Sequence, residues 1–150
     1  MRDDEDSMIG LHDFTGTWRL ARRIVEDDGQ VARLTGTARF EPLGQGALML
    51  REKGTLHLPG QGGFAATRCY AWWPGQGGVI EVRFDDGRPF HSFDPNTADS
   101  AATHWCAPDT YAVRYDFSRW PEWSARWRVD GPRKGYTMYS RYLMQATAGA

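Results

Sequence analysis

The feature that most constrains this chain is alternation. Short runs switch between apolar and polar residues and are cut at near-regular intervals by glycine, proline and aspartate. Successive side chains of a strand point to opposite faces, so period two signals a half-buried strand. The stretch Val79 to Phe93, V-I-E-V-R-F-D-D-G-R-P-F-H-S-F, shows the unit: strand, Asp-Gly turn, strand. A two-residue Asp86-Gly87 loop predicts Asp85 opposite Arg88, Phe84 opposite Pro89 and Val82 opposite His91. Cross-strand partners share a face, so His91 and Phe93 are expected on the side of Val82 and Phe84.

The same pattern extends through the chain. Ile9 to Phe14 is expected as a short turn or helix. A first strand follows, with Trp18, Leu20, Arg22 and Ile24 on one face. Asp27-Asp28-Gly29 turns it into a second strand with Leu34, Gly36, Ala38 and Phe40 on one side. Small residues there suit a crowded barrel wall. The third strand places Leu48, Leu50, Glu52, Gly54 and Leu56 inward. The fourth alternates Ala66, Arg68, Tyr70 and Trp72 with Thr67, Cys69, Ala71 and Trp73, and its phase is ambiguous. Beyond the central hairpin, a strand holding His104-Trp105-Cys106 turns at Ala107-Pro108 into Tyr111, Val113, Tyr115 and Phe117. The ninth and tenth strands carry Trp123, Ala125, Trp127 and Val129, then Tyr136 to Leu143.

These runs predict an all-β domain: a single antiparallel up-and-down barrel of about ten strands with loops too short for parallel crossovers. Closure removes the two edges that an open meander would expose. At 150 residues the chain fits one domain, and its 17 glycines agree with many tight turns. Residues 1–8 are expected as a disordered acidic tail, 9–144 as the barrel and 145–150 as a loose end. A formal net charge of -1 argues against a nucleic-acid partner. No apolar run reaches membrane length and no leader is evident. Cys69 and Cys106 are expected as reduced thiols in a cytoplasmic protein, monomeric or homodimeric.

Several motifs carry a resemblance. Phe14-x-Gly16-x-Trp18, on a first barrel strand, is similar to the Gly-x-Trp signature of lipocalin-like proteins. Five further motifs join it: Gly36-x-Ala38-x-Phe40, Arg68-x-Tyr70-x-Trp72, Asp86-Gly87-Arg88-Pro89-Phe90-His91, His104-x-Cys106-x-x-Asp109-x-Tyr111 and Trp127-x-Val129-x-Gly131-Pro132-Arg133-Lys134. Together, from Phe14 to about Tyr142, the chain resembles a family of small, mostly bacterial domains of unknown function. The resemblance implies a lipocalin-like (calycin) barrel and brings no substrate with it.

In a meander, alternate turns lie at one end. Arg88, Arg133 and Lys134 therefore share a rim, with Asp109 nearby. They suit a carboxylate or phosphate, or else serve as solvated turn charges. Inside, Glu52, Arg68, Tyr70, His91, His104, Tyr111 and Tyr115 are expected to form a polar cup with aromatic walls. Glu52 and Arg68, on neighbouring strands, are either part of that site or a buried structural pair. Trp18, Trp72, Trp123 and Trp127 read as wall and floor.

No close-spaced His motif supports a metal, and neither haem nor any other cofactor is indicated. His91, His104 and Tyr111 are the candidates for acid-base chemistry. Cys106, on the same face as His104, reads as an inert thiol rather than a nucleophile. Ser92 falls on the opposite face from His91, which argues against a triad. The leading expectation is a barrel for a small anionic or amphipathic molecule. Two alternatives remain: a cofactor-free enzyme in the same cavity, and a protein-interaction module with a filled barrel.

Overall fold

A computed structural model describes residues 8–97, 100–106 and 108–145, with Cys106 described by its backbone alone. The expected tail and loose end fall almost wholly outside these residues. A 3-10 helix, Leu11–Phe14, precedes ten strands: β1 (Gly16–Glu26), β2 (Val31–Gly44), β3 (Ala47–His57), β4 (Gly63–Pro74), β5 (Ile80–Phe84), β6 (Pro89–Phe93), β7 (Ser100–Cys106), β8 (Asp109–Asp116), β9 (Trp123–Asp130) and β10 (Gly135–Met144). They form one antiparallel sheet in the order β6-β5-β4-β3-β2-β1-β10-β9-β8-β7. The fold is an up-and-down barrel. No helix among the described residues is long and apolar enough to cross a membrane.

The barrel is nearly, not fully, closed. Pairing of β1 with β10 joins the chain's two ends and moves the free edges to β6 and β7. No ladder joins those edges among the described residues. Side chains bridge the seam instead: the Phe90 ring lies 5.2 Å from His104 on β7, and Phe93 stacks on Tyr115 of β8 at 4.1 Å. β6 is only five residues long and opens on Pro89, which has no N–H to donate.

The central hairpin departs from expectation. Phe84 N–H donates to Arg88 O, and Gly87 N–H donates to Phe84 O, each at 2.9 Å, so the loop holds three residues, Asp85 to Gly87. Gly87 takes the positive φ of 93° that this turn needs. Val82 still faces His91, but Arg83, not Phe84, faces Pro89. Phe90 is left unopposed as a β-bulge. An alternating strand would send Phe90 outward; the bulge buries it beside His91.

The lower end is packed solid with rings. Phe14 sits in the middle, in edge-on contact with Trp72, Trp120 and Trp123 at 4.9–5.4 Å. Trp18 Nε1 donates to Phe14 O at 2.9 Å, which ties the 3-10 helix across this end. Complete burial of each such ring stabilises the fold by about 1.5–3 kcal/mol. Asn96, in the β6–β7 loop, clasps the backbone of Ile9 through both its amide atoms. The upper end carries the turns at 27–30, 58–62, 85–88 and 131–134, as the parity of ten strands predicts.

Gly36 on β2 and Gly54 on β3 face each other at close range. A Cβ on Gly36 would lie 2.1 Å from Lys53 O and 2.5 Å from the Gly54 Cα. Gly36→Ala is therefore expected to cost about 1–3 kcal/mol in urea unfolding. Gly62→Ala, where a Cβ meets nothing within 4 Å, should stay within about 0.5 kcal/mol of wild type.

Candidate functional site

The interior is built around a buried polar knot. Arg22 on β1 donates from Nη2 to Glu52 Oε1 at 2.8 Å and from Nε to Ser140 Oγ at 2.7 Å. The Tyr142 hydroxyl donates to Glu52 Oε2 at 2.5 Å and accepts from Arg22 Nη2 at 3.2 Å. All four residues are buried, the most exposed at 5%. β2 runs between Arg22 and Glu52, and its inward residues there are Gly36 and Ala38, which leave room for the side chains to meet. Burial favours loss of the Arg22 charge, but Glu52 and Tyr142 outweigh it and hold the guanidinium above its ordinary range. Burial, then the Glu52 charge, pushes the Tyr142 phenol well up, so it remains a donor.

Below the knot, His91 Nε2 shares a 2.9 Å hydrogen bond with the Tyr115 hydroxyl. Its Nδ1 is buried and has no partner among the described residues. Burial, helped by the charge His104 would carry, pushes His91 down to about 3. Burial likewise raises Tyr115 well above the usual phenol range. The pair is thus a neutral imidazole against a neutral phenol at pH 7. A void of about 20 Å³ lies between this pair and the knot, room for one water.

Above the knot the barrel opens. A cavity of about 210 Å³ is walled by Tyr70, Phe84, Phe90, Tyr111, Trp127 and Tyr136, with Arg68 and Arg88 at its edge. A second, of about 120 Å³, lies between Ile24, Leu34, Leu56 and Ala66. Arg68 lines both, and also the lower void. It is half-buried and makes no hydrogen bond or ion pair among the described residues. Burial raises the Tyr70 and Tyr136 phenols, opposed chiefly by the Arg68 charge at Tyr70 and the Lys134 charge at Tyr136, so both remain O–H donors at neutral pH.

The sequence-predicted residues thus separate into groups. Arg68, Tyr70, Tyr111 and Arg88 meet at the upper cavity. Glu52, His91 and Tyr115 face inward but lower down. His104 lies opposite Tyr111 as expected, yet lines the β6–β7 seam with Ser92 and Pro89 rather than the cavity. Arg133 is exposed on the β9–β10 turn and is not part of the wall.

The rim cations have local partners. Arg88 Nε binds Asp86 at 2.7 Å, and Lys134 binds Asp109 at 2.9 Å while lying over the Tyr111 ring. Of the two readings left open for Glu52 and Arg68, the buried structural pair does not form: Glu52 bonds Arg22 and not Arg68, although Glu52 and Arg68 are opposite in register. Arg22 takes that place, because its guanidinium reaches over the small residues of β2. Its inward phase on β1 was the signal in the sequence; nothing there linked it to Glu52. The Cys106 side chain lies outside the described residues, whereas Cys69 is a free thiol on the outer face. Among the described residues no three His, Cys, Asp or Glu side chains converge as a metal site needs.

Two measurements check this layout. Glu52→Gln should destabilise the protein by about 3–5 kcal/mol in urea, since it strands a buried guanidinium; Arg22→Met with Glu52→Leu should regain most of that. His91 binds its proton more weakly folded than unfolded, so its contribution is complete above about pH 6.5 and is lost as pH falls toward 3. Each pH unit in that window should cost up to about 1.4 kcal/mol, and His91→Gln should flatten this part of the stability profile.

Comparison with known proteins places this architecture. The structure of an S-type phycobiliprotein lyase, CPES, from Guillardia theta superposes with a TM-score of 0.66 at 8% identity, covering 98% of this chain and 99% of that one. A redesigned β-barrel, mFAP0, bound to DFHBI matches with a TM-score of 0.45 at 15% identity over 87% of this chain and 98% of that one. At 8% identity the likeness to the lyase structure is one of fold. No curated protein sequence matches the chain. One family model does, across nearly the whole barrel, residues 14–144. The chain belongs to that family of unknown function, DUF6314.

Proposed function

We propose that this barrel binds a small, partly apolar anion at its upper end, with Arg68 as the group that meets the charge. One observation carries the reading: a half-buried, inward-facing guanidinium at the junction of two cavities, whose ladder neighbour Glu52 is already held by Arg22. An uncompensated cation in such a place is costly, and a carboxylate or phosphate offsets that cost through a two-pronged hydrogen bond. Tyr70, Tyr111 and Tyr136 surround the cavity with phenols, and Phe84, Phe90 and Trp127 supply its apolar wall. A few polar groups set in an aromatic wall are how small-molecule sites are usually made.

The volume limits the guest. At about 210 Å³ the main cavity is below the roughly 300–1,000 Å³ typical of drug-sized ligands. A single-ring or short-chain acid fits that space. A larger molecule would have to protrude through the rim past Arg88 and Lys134. Those two cations are already matched by Asp86 and Asp109, which argues for a gating role over the clamp the sequence suggests.

The observations do not favour catalysis by histidine. Neither His91 nor His104 lines the two upper cavities, and His91 is neutral throughout the physiological range. A filled, inert interior is not favoured either, because only the lower half is packed.

The test is a thermal-shift screen of small aromatic and aliphatic acids, followed by calorimetry. Arg68→Met should weaken binding of an acid hit by about 10- to 100-fold, equivalent to a lost charged hydrogen bond of about 1.5–3 kcal/mol. Arg133→Met should leave it unchanged. Equal affinity for Arg68→Met and wild type would remove the anion subsite.

A further inference from the structure

The outer face of the barrel carries a row of cations that the net charge of -1 conceals. In register across six strands stand His57 on β3, Arg33 on β2, Arg23 on β1, Tyr139 on β10, Arg126 on β9 and Arg114 on β8. All six are exposed. The row contains no acid, and at about 4.8 Å per strand it runs roughly 24 Å around the barrel. Arg23 sits directly opposite Arg33, and Arg114 directly opposite Arg126.

Like charges placed directly across a ladder destabilise a sheet, and Arg23 and Arg33 are such a pair. The flanking rows differ. Arg128 is clamped by Asp27 and Asp130, and Arg141 is bound to Glu122. Arg23, Arg33 and Arg126 have no carboxylate partner among the described residues. Arg23 lies over the Tyr139 ring at 4.7 Å, and the surface between Arg23, Arg33, Tyr139 and Arg141 forms an open groove.

We infer that this row is a binding track for the backbone of a single-stranded nucleic acid. The guanidiniums of Arg23, Arg33 and Arg126 in one line suit a linear series of phosphates, to which Arg donates in a fork. The track wraps a convex surface, which a flexible strand follows and a stiff duplex or a flat protein face does not. Thr35 and Thr137, exposed or half-exposed beside the row, add hydroxyl donors of the kind that contact phosphate and sugar. Tyr139 offers a ring in mid-track, the combination of cations and an aromatic that sequence-tolerant single-strand binding uses. This track is outside the barrel wall and is independent of the anion cavity within.

The test uses the full chain and a fluorescein-labelled oligothymidylate of about 16 nucleotides, followed by anisotropy at rising salt. Binding at low salt is expected, with log K falling linearly against log salt by about 0.7 for each phosphate neutralised. The triple variant Arg23→Ser, Arg33→Ser, Arg126→Ser should reduce that slope by about 2 and weaken low-salt binding by at least about tenfold. It should melt no lower than wild type, because it relieves repulsion. Arg83→Ser, paired with Glu81 away from the row, should leave the slope unchanged. No binding at low salt, a triple variant that binds like wild type, or equally tight binding of a polyglutamate peptide of matched charge would each overturn the inference.

Discussion

The ion pair between Arg22 and Glu52 organises the interior. Two charges removed from water are a liability unless they are hydrogen-bonded, and here Ser140 and Tyr142 add to the bond between the ions. That need fixes the neighbouring sequence. Gly36 and Ala38 have to stay small so that the pair can meet across β2, and Tyr142 has to stay a neutral phenol. Tyr142 in turn stacks on Trp123, its cross-strand partner, at 3.8 Å and 6° between ring planes. The knot thereby joins the polar middle of the barrel to its aromatic floor.

This arrangement divides the interior into two levels with different physics. Below the knot, Phe14, the tryptophans and the Phe93–Tyr115 stack exclude solvent, and His91 is held neutral. Above it, two cavities leave space. Arg68 stands at the boundary. It is opposite Glu52 in the ladder but loses that partner to Arg22, which leaves its guanidinium facing the open level. A free interior cation is therefore a consequence of how the buried pair is satisfied, and the proposed ligand site follows from it.

The seam between β6 and β7 is the other structural compromise. A bulge at Phe90 and a proline at the start of β6 prevent a continuous ladder, and rings bridge the gap where backbone hydrogen bonds would be. The bulge delivers Phe90 into the core, where it stacks on Trp127 at 5.3 Å. Aromatic contacts are less exacting in register than a ladder, so this is where the wall tolerates irregularity. It is also where His104 lies, which explains how a residue of correct phase is outside the cavity.

Much of this was legible in the sequence. Period two assigned the inward faces of β1, β2, β3, β8 and β9, and the turn clusters separated ten strands, because alternation and turn chemistry are local properties of the chain. The parity of the turns put Arg88, Lys134 and Asp109 at one end for the same reason. Local rules did not reveal that the Asp86-Gly87 loop takes a third residue, nor that the bulge at Phe90 restores the register by Val82 and His91. Nor could they select Arg22 over Arg68 as the partner of Glu52. That choice depends on side-chain reach across an intervening strand, and on the void left by Gly36 and Ala38. The outward arginine row was equally hidden: its members are spread from residue 23 to residue 126, and only the registers of successive ladders align them. The sequence by itself determined which face each residue takes, because that is set by its immediate neighbours. Only the folded barrel decided which residues on a face touch, because that depends on registers, bulges and small side chains far apart in the chain.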